Sequence, residues 1–145
     1  MIVFFAALNQ VAPTRAYLEV QNILLNKLLE YTMNNSSSKA YSGAFCGEAS
    51  IIYTYLVLYK ISNEEKYIKY AKIHENKLFA SLEIDRMGDL LYGNAGAVII
   101  YLNMYELTMD KKYILRAEIA ANYILKNLKE KYSIFNNIEG NKISR

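Results

Sequence analysis

Apolar positions along the chain fall into two alternating kinds of helical run. From Ala97 to Leu107, and again from Ile51 to Ile61, nearly every residue is apolar, the pattern of a helix buried on all sides. The run that follows Leu107 is different. Tyr113, Ile114, Ala117, Ala120, Ala121, Ile124, Leu125 and Leu128 recur at helical spacing with Lys, Arg, Glu and Asn between them, which predicts an amphipathic helix with one solvated face. Each pair therefore reads as a hairpin with one inner and one outer helix. Ser62-Asn63-Glu64-Glu65 and Thr108-Met109-Asp110 supply short hydroxyl and acidic side chains where the outer helices begin, suited to capping and to the positive end of the helix dipole.

The hairpins repeat. Shifting the chain by 46 residues gives 11 identities over the 33 positions Gly47 to Phe79, among them Tyr55-Leu56 on Tyr101-Leu102 and Lys66-Tyr67-Ile68 on Lys112-Tyr113-Ile114. A shift of 50 reveals an earlier, degraded copy, with Val11 on Ile61 and Tyr17-Leu18 on Tyr67-Ile68. That copy is expected to begin inside its first helix at Met1. The units are read as 1–33, 43–82 and 89–132, about two and a half hairpins in one domain, with a frayed tail over 133–145. The polar stretches Asn34 to Ser38 and Glu83 to Asp89 are expected to be surface loops. Such a repeat builds either an α/α toroid or a HEAT-like solenoid, and periodicity alone leaves both open.

Composition narrows the chemistry. In 145 residues, 53% are apolar and 21% charged, enough to bury a core. A net charge of +3 without blocks of like charge gives no footprint for nucleic acid or an anionic membrane surface. The apolar opening Met1 to Leu8 lacks a basic leader and stops well short of the ~18 residues of a membrane span, so a cytoplasmic protein is expected. One Cys and one His cannot form a disulfide framework or fill a typical zinc site. Cys46 is expected to be a packed thiol, and His74 a surface or hydrogen-bonded histidine of the outer helix.

Small residues cluster where the inner helices start, in Ser42-Gly-Ala-Phe-Cys-Gly-Glu-Ala-Ser-Ile-Ile-Tyr53 and Asp89-Leu-Leu-Tyr-Gly-Asn-Ala-Gly-Ala-Val-Ile-Ile100. Gly93 and Gly96 either let hairpins pack closely or shape helix N-termini that converge on a pocket. These stretches, with Leu58 to Ile61 and Lys112 to Ile114, resemble the lanthionine synthetase C-like family, most closely the cyclase domain of class II lanthipeptide synthetases, over roughly Met1 to Leu128.

The resemblance implies an all-α fold, an incomplete α/α toroid of tandem hairpins whose inner helices line a funnel. It implies a zinc-dependent cyclase that adds Cys thiols of a precursor peptide to dehydrated Ser or Thr, zinc favouring the thiolate. Asp89 matches the family's aspartate associated with proton transfer, and Gly93, Asn94 and Gly96 would lie beside substrate. The family's zinc ligands, two Cys and one His, have no match here, so no cofactor is expected in this chain and no activity from it alone. Asp89 equally suits a helix cap. Glu48 reads as a dipole partner, and Tyr55, Tyr59, Tyr101 and Tyr105 as packing residues.

Two other classes compete. One is a helical-repeat module binding a peptide or protein. The other is a toroid glycosidase or sugar epimerase, which would need converging acids and sugar-stacking aromatics; only Glu48 and Asp89 offer themselves and Trp is absent. Uncovered terminal hairpins predict self-association into a homo-oligomer, or docking onto the remaining parts of a synthetase.

Overall fold

A computed structural model describes residues 1–34 and 42–142, with side chains to residue 131. The expected serine-rich loop at 36–38 lies outside the described residues. Six helices follow in order: α1 (Ile2–Val11), α2 (Arg15–Met33), α3 (Glu48–Ser62), α4 (Lys66–Ser81), α5 (Asn94–Thr108) and α6 (Lys112–Lys142). Among the described residues there is no strand. They form three antiparallel hairpins, the first with an inner helix of 10 residues against 15 in α3 and α5. Inner helix α3 packs between α1 and α5, and α2 lies beside α4 in the outer layer.

The repeat seen in the sequence is a repeat of contacts. In each hairpin one ring of the inner helix meets one ring of the outer: Phe5 with Tyr17 at 6.2 Å, Tyr55 with Tyr67 at 6.3 Å, Tyr101 with Tyr113 at 6.4 Å. The degraded first copy thus keeps the packing of the later two, with Phe5 where they have Tyr. Buried Ile52, Tyr55, Leu56, Leu78, Ile100, Tyr101, Met104 and Tyr113 form a single core running through the hairpins.

Both later inner helices end alike. Asn63 and Met109, 46 positions apart, adopt left-handed backbone angles (φ 57° and 55°) and donate their amides to the Tyr59 and Tyr105 carbonyls. That ends the helix and turns the chain outward. The expected caps are borne out unevenly. Asp110 Oδ1 accepts from the Lys112 amide at 3.0 Å and Ser62 Oγ from the Glu64 amide at 3.3 Å, whereas Glu65, at the cap position of α4, makes no side-chain cap bond. At the other end of the chain, α6 continues as helix to Lys142, through most of the stretch where a frayed tail is expected. No described helix is long and apolar enough to cross a membrane.

Candidate functional site

The glycine-led starts of α3 and α5 meet. Ala44 and Phe45 amides donate to the Leu90 and Leu91 carbonyls at 3.1 and 3.2 Å, stitching one turn to the other. The approach requires glycine. A Cβ on Gly43 would lie 2.1 Å from the Leu91 carbonyl oxygen, and one on Gly96 would lie 2.3 Å from the Ala44 amide nitrogen. Gly93 is also closed in, with the Met87 carbonyl 2.1 Å from where its Cβ would be.

Asp89 is exposed, and its Oδ1 accepts from the Leu91 and Tyr92 amides at 2.7 and 2.9 Å. It orders the turn before α5. Asn94 is buried at the first position of α5, where its side-chain amide donates to the Leu82 and Asp85 carbonyls at 3.0 and 3.3 Å. Gly93 and Gly96 are packed against the Met87 and Ala44 backbone, and Asn94 Oδ1 is buried with no hydrogen-bond partner among the described residues.

The loop expected at the surface contains a buried carboxylate. Asp85 Oδ2 accepts from the Ser42 amide and hydroxyl at 3.0 and 2.6 Å, and its Oδ1 accepts from the Met87 amide at 2.8 Å. Three donors satisfy the charge, and the aspartate pins the two turns from beneath. No repeat or motif singles out Asp85.

The most concentrated chemistry lies between hairpins one and two. His74 on α4 places Nδ1 2.5 Å from Glu48 Oε2 and Nε2 2.9 Å from Thr32 Oγ1. Thr32, near the end of α2, donates to the Leu28 carbonyl at 2.8 Å and lies 2.6 Å from the Tyr55 hydroxyl. A hydroxyl has one proton to give. Since Thr32 gives it to Leu28, it must accept from both Tyr55 and His74, which puts a proton on Nε2. A second proton is shared between Nδ1 and Glu48, making a neutral buried pair joined by a charge-assisted bond. Tyr31 stacks on the imidazole with centroids 5.9 Å apart.

Thr–His–Glu is the hydrogen-bond order of a hydrolytic triad. The arrangement does not fit that chemistry. Thr32, His74 and Glu48 are at most 2% exposed, so no substrate reaches the hydroxyl in this state. The hydroxyl proton points to Leu28, and the imidazole nitrogen facing it is already protonated. The group is a clamp that ties α2, α3 and α4 together. Glu48 does sit in the first turn of α3, as its dipole reading requires, and gains a partner the sequence did not suggest.

The lone thiol corrects an expectation. Cys46 is exposed in the turn ahead of α3, not packed, because it lies beside exposed Phe45 and before Glu48, the first buried position of the helix. His74 is the hydrogen-bonded histidine, with both nitrogens engaged. Among the described residues no group of three or more His, Cys, Asp and Glu side chains can hold a metal ion. The residues present therefore do not fit a zinc centre.

A second buried acid, Glu75, joins the outer helices α4 and α6. It pairs with Arg116 and has Lys112 Nζ 3.9 Å away. Arg116 lies over the Phe79 ring at 4.3 Å, and burial lowers its pKa from the usual guanidinium value. His74 and Glu75 fall on the stripe of Tyr67, Ala71 and Leu78, the signal that places both in the core.

A family model for lanthionine synthetase C-like protein matches residues 1–142. The chain belongs to that family. Its all-helical tandem hairpins are accordingly an arc of the family's α/α toroid. Comparisons with curated proteins and with solved structures find no match.

Proposed function

We propose that the chain forms part of the wall of a lanthionine synthetase C-like cyclase domain, acting on a precursor peptide in the cytoplasm. The family match over residues 1–142 carries this reading. The family's reaction closes thioether rings by adding Cys thiols to dehydrated Ser or Thr. In that setting this chain supplies scaffold: the stitched turns at Ala44–Leu90 and Phe45–Leu91 fix the spacing of neighbouring inner helices. The exposure of Asp89 at the same end supports its reading as a residue that meets the peptide. The poor fit of Cys46 and His74 to a metal argues that thiol activation is not performed by this chain's residues.

The test is to incubate the purified chain with a dehydrated precursor peptide and zinc, following ring closure by mass spectrometry with thiol alkylation and measuring bound metal after dialysis. The expected result is no stoichiometric zinc and no thioether. Retained zinc together with ring formation would overturn the scaffold assignment.

A further inference from the structure

The stripe that α2 turns toward the core is nearly uniform. Leu25, Leu28 and Leu29 pack half-buried against it, and Thr32 continues the stripe one turn further on, fully buried. Burial of apolar surface is non-directional and by itself has little preference for one register over another. A slip of α2 by one helical turn, about 5.4 Å, would set Leu28 or Leu29 where Thr32 stands and still keep leucine against the core. Hairpin one would move as a unit in such a slip. The Asn9 side chain donates to Gln21 and the Tyr17 amide to Thr14, both within the hairpin, and α1, which packs on α3, brings apolar Ile2 and Ala6 to the core.

Thr32 breaks this degeneracy. Its hydroxyl accepts from His74 Nε2 at 2.9 Å and from the Tyr55 hydroxyl at 2.6 Å, and His74 in turn holds Glu48. With leucine in its place, the imidazole N–H and the Tyr55 hydroxyl would be buried without an acceptor, which costs the full desolvation of each donor. The next interface solves the same problem differently. There the positions equivalent to Thr32 and His74 are Leu82 and Ala120, and directional bonds come from the Ala44 and Phe45 amides to the Leu90 and Leu91 carbonyls.

From this we propose that the Thr32–His74–Glu48 network sets the register of hairpin one on hairpin two: it selects one docking from among apolar alternatives and so holds α1 level with α3. A single buried polar group fixing the register of an otherwise apolar helix interface is an established use of such groups. The inference rests on the geometry of the clamp and is independent of the cyclase reading.

Thr32→Val tests it. The substitution keeps the shape and removes the hydroxyl, so every register then presents an apolar side chain to His74 and the bias between them is gone. The readout is the methyl NMR spectrum of leucine-labelled protein, with Leu25, Leu28, Leu29 and Leu107 assigned by single Leu→Ile substitutions. The wild-type chain is expected to give one set of methyl resonances for the three α2 leucines, and Thr32→Ser, which keeps the hydroxyl, should do the same. Thr32→Val should give two or more sets, or one set broadened by exchange, with helical circular dichroism retained and Leu107 on α5 unchanged. A single sharp set in Thr32→Val would overturn the proposal, and so would several sets in the wild type or in Thr32→Ser. Doubling at Leu107 as well would mean a general loosening, and loss of the helical signal would make the hydroxyl a requirement for folding; either result overturns register selection. None of these readouts involves a peptide, so a failed cyclase assay leaves them untouched.

Discussion

Removing the His74 imidazole leaves Glu48 buried with no counter-charge and Thr32 without one of its donors. Losing one partner of a buried pair typically costs about 3–5 kcal/mol. His74→Ala should therefore lower unfolding stability by that order in urea titrations; a loss under about 1 kcal/mol would show the clamp to be incidental. A second comparison uses repeat-equivalent tyrosines. The Tyr55 hydroxyl bonds Thr32, whereas the Tyr101 hydroxyl is buried with no hydrogen-bond partner among the described residues. Tyr55→Phe should cost about 1 kcal/mol, and Tyr101→Phe should be neutral or stabilising by a similar amount. Reversal of that order would contradict the bonding described. The clamp was only half legible beforehand. His74 and Glu75 stand on an apolar stripe, which marks them as buried, but Thr32 and His74 are 42 positions apart and no local pattern pairs them.

Helices and hairpins were legible because their causes are local: inner runs apolar all round, outer runs with one wet face, and a repeat of 46 that carries its ring contacts with it. Element ends were less so. Asn63 suits a left-handed backbone, and its counterpart Met109 does not, since a side chain without a local hydrogen bond meets the following carbonyl. Met109→Asn should raise stability by about 0.5 kcal/mol, visible as a higher urea midpoint at unchanged slope. At the other end of the same helix, Gly96→Ala should act oppositely. Its Cβ would strike the Ala44 amide, backbone that cannot swing aside, and parting the two turns costs about 1–3 kcal/mol. The sequence offered both a packing and a pocket role for the glycines, and the close approach of the turns is what supports the first.

For the molecule as a whole, the buried tyrosines set a limit on alkaline stability. Burial raises the pKa of Tyr55, Tyr67, Tyr101 and Tyr113 above the ordinary phenol value, most strongly at Tyr101, where nearby Tyr113 adds to the effect. A raised folded pKa means the neutral phenol is favoured by the fold. Below about pH 10, where unfolded tyrosines are also neutral, that contribution is fully present. Above it the unfolded chain releases phenolic protons that the folded chain retains, so stability declines as pH climbs toward the folded values. Because the four rings belong to two hairpins that share one core, their ionisation should come with unfolding and not before it. A spectrophotometric titration should show a steep step in phenolate absorbance that coincides with loss of helical circular dichroism. Tyr101→Phe should move that step to higher pH, since it removes one of the protons driving it. A single gradual titration with the helical signal intact would mean that solvent reaches these rings without opening the hairpins, and the shared core would then not be the cooperative unit.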